Sequence, residues 1–321
     1  MNWGHLMKIL LIINIYSGRG KIKQNIIPLI NYLSKNAIYP TLFFTQNDTQ
    51  QTFDVIQANK FVDIVICLGG DGTLNEVING LMQLQEEALP LLAYIPLGTT
   101  NDFGRTLALN DDPVQALEQV LKRQSEYIDI GEVNQQYFAY IASFGVFTST
   151  SYDTPQILKN TFGHLAYVLS GIKELAMIEK YQVTVTIDNQ VWQDEYIFGA
   201  ITNTTSIGGI LNFDEEIVNL QDGIFELVLI KAPKNLIELT QLIDAISTQT
   251  YSNGLISFYH VSQVKLVFEK PLTLTLDGEK SQPNKTFQIT NHFKKIPLIL
   301  TRKKGVSMKK VQALLPDNVS E

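Results

Sequence analysis

An α/β fold with a second, β-rich part is what the sequence predicts. In the first 130 residues, apolar runs of strand length alternate with stretches of helical spacing. That is the pattern of βαβ units on a parallel sheet. Beyond that point apolar residues recur on period two with turn residues between them, as in antiparallel strands. The 321 residues suffice for about two domains at roughly 100–200 residues each. The expected division is an N-terminal α/β domain over 1–130, an antiparallel, sandwich-like domain over 131–302 and a tail over 303–321. The last segment before the tail is left free to pack back on the first domain.

The elements follow in order. "MKILLIIN" (7–14) is apolar on both strand faces and reads as a buried parallel strand. It is shorter than the ~20 apolar residues of a membrane helix, and "YSGRG" follows it instead of a small-residue cleavage site. Ile26, Leu29, Ile30, Leu33 and Ala37 keep helical spacing, and Pro28 among them implies a late helix start or a kink. "YPTLFFT" (39–45) is a second strand, 49–60 a polar helix and "VDIVICLGG" (62–70) a third strand. Leu74, Val77, Ile78, Leu81 and Met82 mark the next helix face, which opens at Thr73 or Leu74. "LPLLAYIPLG" (89–98) is a fourth strand, and "DDPVQALEQVLKR" (111–123) a helix with proline near its start. "EYIDIGEVNQQYFAYIASFG" (126–145) reads as one hairpin turning at "NQQ". A helix is expected over about 159–179, and another at "PKNLIELTQLIDAIS" (233–247). Four alternating stretches supply the remaining strands, within 181–203, 223–231, 261–279 and 285–290.

Composition narrows the function classes. A net charge of −7 supplies no general field for nucleic acid phosphates. The basic string "TRKKGVSMKK" (301–310) reads as a solvated tail in preference to a lipid-surface patch. Cys67 is the only cysteine, which rules out an internal disulfide or a cysteine metal cluster; its apolar surroundings make it a core residue. The four histidines have no metal-ligand spacing, and neither H-E-x-x-H nor G-x-S-x-G occurs.

"GGDGTLNEV" (69–77) puts glycines between a strand and a helix. Helix N-termini carry unsatisfied N–H groups and partial positive charge, so anions bind there. Asp71 sits inside this cradle with the wrong charge. Two like charges at 4 Å repel by about 4 kcal/mol at an effective dielectric near 20. Mg²⁺ between Asp71 and a phosphate turns that repulsion into attraction, so the loop is read as holding a nucleotide phosphate with its metal. "IPLGTTNDFGR" (95–105) repeats the design with Thr99, Asn101, Asp102 and Arg105. "NIYSGRGK" (14–21) ends the first strand with Ser17, Gly18, Arg19 and Gly20, a phosphate clamp or a plain turn. "TLTLDGEK" (273–280) and "LQDGIFELVLI" (220–230) each contain an Asp-Gly pair that a hairpin turn alone explains.

Taken together, these strings resemble the diacylglycerol kinase catalytic-domain family, which includes sphingosine-type lipid kinases. "GGDGTLNEV" and "PLGTTNDFGR" are similar to its two most specific motifs. "SFGVFTSTSYDTP", "FGHLAYVLSGIKEL", "LQDGIFELVLI" and "LTLDGEK" follow in the family's order. The likeness runs from about residue 7 to 302 and is nearest the soluble bacterial members. Ile15 stands where the family usually has proline. The resemblance implies a nucleotide-binding α/β domain and a β-rich domain with the active site in the cleft between them. It implies transfer of the γ-phosphate of ATP, with Mg²⁺, to a lipid hydroxyl, diacylglycerol first. By motif, Asn14, Ser17, Gly18, Thr45, Gly70, Asp71, Gly72, Thr73, Leu74, Asn75, Glu76, Thr99 and Asn101 would meet ATP. Glu279 would accept the hydroxyl proton. Asp277, Asp71 and Asp102 would form the acidic network at the catalytic Mg²⁺, offset by Arg105. Asp222, with Asn219 and Ile224, matches a structural metal site. The resemblance further implies a cytoplasmic protein that docks transiently on the inner membrane face, and leaves a homodimer open. Two alternatives remain at this stage: an NAD kinase-like small-molecule kinase, which shares "GGDGT", and a nucleotide-binding regulator without catalysis.

Overall fold

The computed structural model describes residues 7–46, 48–85, 89–146, 179–204, 206–207, 211–212, 219–251 and 254–302. The helix expected over about 159–179, most of the strings 143–155 and 162–175, and the tail from 303 lie outside them. The chain divides into two compact units. One takes the described residues up to Ile128, Asn219 and those from Lys294; the other takes Asp129–Asn212 and Leu220–Phe293.

The first unit is a parallel sheet with helices. Strand β1 (Ile9–Ile13) is five buried aliphatic residues in a row. It pairs in parallel with β2 (Thr41–Phe44) and with β3 (Ile64–Gly69), and β3 pairs in parallel with β4 (Leu91–Pro96). The order is therefore β2-β1-β3-β4. A 3-10 turn at Ser17–Gly20 leads into α1 (Lys21–Lys35), and α2 (Thr49–Ala58) joins β2 to β3. Helix α3 (Asp71–Leu81) follows β3, and the five-residue α4 (Asp102–Thr106) and α5 (Pro113–Val120) follow β4. Caps explain two of these starts. Asp48 accepts from the N–H groups of Gln50 and Gln51, and Asp112 from those of Val114 and Gln115. Pro113 at the first helical position has no N–H to leave orphaned. Pro28 lies inside α1, which starts earlier than the sequence suggested. It is on the exposed side, where water can serve the carbonyl that proline leaves unpaired.

Both sheet faces are covered. Ile9, Leu11, Ile13, Ile64, Ile66 and Leu68 pack with Ile22, Leu29 and Leu33 of α1 and with Ala116, Leu117 and Val120 of α5. The alternate residues Leu10, Ile12, Val65, Cys67 and Tyr94 are equally buried. Burial pushes the Cys67 thiol well up, so it is a core residue as expected.

The second unit is antiparallel. It takes in most of β5 (Ser125–Val133), then β6 (Gln136–Phe138), β7 (Ile141–Gly145), β8 (Tyr181–Ile187) and the long β9 (Gln190–Thr202). A short pair, β10 (Ser206–Ile207) and β11 (Leu211–Asn212), follows. Then come β12 (Phe225–Lys231), helix α6 (Leu236–Thr248), β13 (Ile256–Val261) and β14 (Gln263–Leu272). A tight hairpin joins β15 (Thr275–Leu276) to β16 (Glu279–Lys280), and β17 (Asn284–Ile299) closes the chain's strands. Strand β9 organises the unit: its first half pairs with β8, its second with β7 and β12. The core is aromatic, with Phe138, Phe144, Phe225, Phe268 and Phe287 among aliphatic residues. The end of β17 leaves this unit, pairing Leu298 and Ile299 in parallel with Leu92 and Ala93 of β4.

One predicted hairpin differs. Its turn is two residues, Asn134 and Gln135, with φ of 48° and 71°, the geometry of a type I′ turn. Its return strand is split into β6 and β7. The break has a cause: Asp277 takes the backbone N–H groups of Ala139, Tyr140 and Ile141, so Ala139 and Tyr140 have none to give a neighbouring strand.

Candidate active site

The order β2-β1-β3-β4 reverses direction between β1 and β3. Ligands of such sheets bind outside the carboxyl ends of the strands at that reversal. Three loops meet there. Asn14, ending β1, donates its N–H to Leu68 O (3.1 Å) and its Nδ2–H to Thr73 Oγ1 (3.2 Å). The N–H groups of Leu97 and Gly98, ending β4, both donate to Gly69 O, at 2.8 and 3.0 Å. The loops touch backbone to backbone, and glycine is what allows it. A Cβ on Gly98 would stand 2.4 Å from Gly70 Cα, and one on Gly18, whose φ is +63°, would stand 1.9 Å from Leu97 O. Helix α3 opens here with Gly70 as its N-cap residue and no side chain capping it. It begins at Asp71, two or three residues earlier than the periodicity suggested.

Asp71 is turned onto the next helix. Its Oδ2 accepts from Asp102 N–H (3.0 Å) and its Oδ1 from Phe103 N–H (3.3 Å). Asn101, the cap residue of α4, is left-handed with φ of 52° and gives α4 no side-chain cap; its Nδ2–H goes to Gly98 O at 3.0 Å. Asp71 thus does the capping from another loop, and its charge is set against N–H donors. Asp102 is half-buried, and burial raises its carboxyl more than the nearby Arg105 lowers it. Arg105 and Thr99 are exposed, and Ser17 is half-buried. The Tyr94 phenol is pushed well up by burial and by Asp71.

Thr45 and Glu76 face each other inside the unit. Thr45 is fully buried and donates its hydroxyl to Glu76 Oε2 at 2.8 Å; Thr52 of α2 donates to the same oxygen at 3.1 Å. Thr52 was not singled out from the sequence, because a threonine in a polar helix gives no sign of facing inward. Thr73 and Leu74 are buried, and Gly72 and Asn75 half-buried.

The remaining candidates lie in or beside the second unit. Asp277 and Gly278 form the β15–β16 turn, with φ of 50° and 93°. Asp277 is 2% exposed. Its Oδ2 accepts from Ala139 N–H (2.6 Å), and its Oδ1 from Tyr140 and Ile141 N–H (3.0 and 3.1 Å). The resemblance had grouped Asp277 with Asp71 and Asp102. Asp71 and Asp102 do adjoin; Asp277 takes two main-chain donors on Oδ1 and one on Oδ2. Glu279, two residues on, is exposed. Asn219, Asp222 and Ile224 are exposed along one turn, where Asp222 Oδ1 accepts from Ile224 N–H at 3.0 Å. Among the described residues no three His, Cys, Asp or Glu side chains gather as a metal cage, so a metal there would lean on main-chain carbonyls. Asp129, which the sequence reading passed over, is fully buried and accepts from Gly223 N–H at 2.6 Å. A charge inside the apolar run "YIDIG" was its only signal.

Comparison with known proteins shows the family. Residues 8–133 match the model of the diacylglycerol kinase catalytic domain, and 142–292 that of the YegS C-terminal NAD kinase beta sandwich-like domain. A diacylglycerol kinase of Bacillus subtilis (strain 168) is 37% identical over 219 residues, which cover 68% of this chain and 71% of that one. The chain belongs to the diacylglycerol kinase family. A second family member, from Staphylococcus haemolyticus, is 31% identical over 84% of this chain and 78% of its own. A solved structure of a diacylglycerol kinase from Bacillus anthracis str. Sterne superposes with a TM-score of 0.70 at 26% identity, covering 92% of this kinase and 98% of that chain. Among the described residues, no helix is long and apolar enough to cross a membrane.

Proposed function

We propose that this kinase transfers the γ-phosphate of ATP to the free hydroxyl of diacylglycerol, giving phosphatidic acid. The observation that carries the reading is the meeting of three glycine loops at the uncapped start of α3, beside Asp71 and Asp102. Phosphoryl transfer needs mainly positioning and charge neutralisation. In this reading Asn14, Ser17 and Gly18, the loop and helix start from Gly70 to Asn75, and Thr99 and Asn101 hold the triphosphate. Buried Thr45 and Glu76 act by fixing β2 and α2 against α3.

Mg²⁺ fits the pair Asp71 and Asp102. Asp71 accepts from the Asp102 N–H, so the two acidic residues are neighbours, and a cation offsets the repulsion of two carboxylates. The Asp102 carboxylate takes no hydrogen bond among the described residues, and a cation would offset the burial that raises its pKa. Bound there, Mg²⁺ would neutralise phosphate charge. Arg105 adds a second positive group. Glu279 accepts the proton of the attacking hydroxyl as general base. Asp277 holds the turn that carries Glu279. Asn219, Asp222 and Ile224 hold a structural cation. In the same reading residues 1–130 form the ATP-binding domain and 131–302 the domain that receives the lipid, and the protein docks transiently on the inner membrane face, with homodimers open.

The test is incorporation of labelled phosphate from ATP into diacylglycerol in mixed micelles, with and without Mg²⁺, alongside NAD. Phosphatidic acid formed only with Mg²⁺ is expected. Phosphorylation of NAD and of no lipid would put the protein with the NAD kinases, whose name the second domain's match carries.

A further inference from the structure

Strand β4 reads Leu-Leu-Ala-Tyr-Ile-Pro, and Tyr94 is its one polar side chain. By register it stands opposite Cys67 of β3, and it is 0% exposed. The ring is closely packed. It lies 6.4 Å from that of Phe103, centroid to centroid, and a Cβ on Gly104 would come within 3.5 Å of Tyr94 Cε1. Phenylalanine would fill the same space, so packing alone does not call for the hydroxyl. A buried phenol O–H takes a hydrogen-bond partner, and here its partners belong to the candidate site.

The hydroxyl ends between two of the loops. It donates to Asn101 Oδ1 at 3.4 Å and also reaches the Asp71 carboxylate. The second contact fits the capping geometry, because Asp71 accepts from the N–H groups of Asp102 and Phe103, the two residues after Asn101. A phenol has one proton to donate, so the two acceptors share it. For Asn101 the consequence is orientation. With Oδ1 turned to the phenol, Nδ2 is turned to Gly98 O, which it meets at 3.0 Å. Gly98 N–H in turn donates to Gly69 O at 3.0 Å. A chain of hydrogen bonds therefore runs from Tyr94 through the Asn101 amide to the glycine contact between the β3 and β4 loops. Asn101 is left-handed, with φ of 52°, a conformation that persists where the surroundings hold it.

We propose that Tyr94 is a positioning residue for phosphoryl transfer: its buried hydroxyl joins Asp71 to Asn101 and so fixes the two loops against each other where the triphosphate is held. The role rests on the functional reading above and adds to it a residue that touches neither nucleotide nor acceptor. Loss of the hydroxyl leaves the ring packed and the strand intact, but it frees the Asn101 amide to turn and loosens the loop that carries it. Small errors of placement in such a loop are costly, because phosphoryl transfer depends mainly on positioning.

The test is calorimetric titration with a non-hydrolysable ATP analogue and Mg²⁺, beside kinetics on diacylglycerol in mixed micelles. Tyr94→Phe should bind the analogue about fivefold more weakly, the net worth of one hydrogen bond. Its kcat should fall by at least as much, with the KM for diacylglycerol unchanged. Asn101→Gly removes the amide and tolerates the left-handed backbone. It should weaken binding too, and adding Tyr94→Phe to it should cost less than in wild type, because the phenol acts through the amide already lost. Tyr94→Met serves if the phenylalanine variant does not fold. Wild-type affinity in a folded Tyr94→Phe, with or without a lower Tm, would show a hydroxyl that serves the fold alone and overturn the proposal. So would losses that simply add in the double variant. Wild type that does not bind the analogue at all would remove the functional reading, and this role with it.

Discussion

Replacing Asp277 by asparagine tests the assignment of that residue as a holder of the Glu279 turn. In the structure Oδ1 takes two N–H donors, from Tyr140 and Ile141, and Oδ2 takes one, from Ala139 at 2.6 Å. With its oxygen at the Oδ1 position, the asparagine keeps the first two bonds as neutral ones. Its NH₂ then faces the Ala139 N–H, donor against donor, in a site only 2% exposed. An unsatisfied buried donor costs about 1–3 kcal/mol, and two bonds to a charged acceptor becoming neutral lose roughly 1 kcal/mol each. The expected loss is about 3–5 kcal/mol, read as a lower urea midpoint for the second unit. Where the variant is still folded, kcat should fall while the KM for ATP holds, because the loops assigned to ATP belong to the first unit. An unchanged urea midpoint would refute the reasoning, since one buried bond cannot be lost and two weakened without cost. An intact midpoint with altered Mg²⁺ dependence would return Asp277 to the metal.

Three further outcomes follow from the geometry. Gly98→Ala places a Cβ 2.4 Å from Gly70 Cα, so the two loops must part and nucleotide affinity should fall by about tenfold or more, measured by titration calorimetry; wild-type affinity would show that the glycine contact is not part of the site. Glu279→Gln, at an exposed position, should lower kcat by about 10²-fold or more and leave ATP binding intact; a kcat near wild type would take Glu279 out of the reaction. The third concerns pH. Burial first, and then Asp222, raise Glu226 from 4.5 to about 8, so the fold keeps a proton that the unfolded chain releases. Stability from this group is complete below pH 4.5 and is lost as pH rises towards 8, at roughly 1.4 kcal/mol per unit. Glu226→Gln should therefore gain on wild type between pH 5 and pH 8 in urea midpoints, and parallel curves would count against the buried acid.

How far the sequence reaches is clearest residue by residue. The continuous apolar runs at 9–13 and 64–69 made the parallel strands legible, because burial on both faces leaves no polar position to confuse the reading. The glycine strings marked the loops at the strand ends, since glycine is the residue that lets backbones touch. What the sequence could not decide was the direction in which polar side chains point. "GGDGT" offered Asp71 as a metal partner; the fold adds that its oxygens also take the Asp102 and Phe103 N–H groups, 31 and 32 residues away. "LDGE" offered Asp277 beside Glu279; the fold places it on amides 136 to 138 residues distant. Thr52, inside "TQQTFDV", gave no motif at all. Strand and helix are set by periodicity within one segment, whereas a buried polar group is defined by partners brought from elsewhere in the chain. The sequence by itself therefore determined the family, the parallel sheet and the glycine loops at its strand ends. Only the tertiary structure decided which main-chain N–H groups those carboxylates meet, because these donors come from distant parts of the chain.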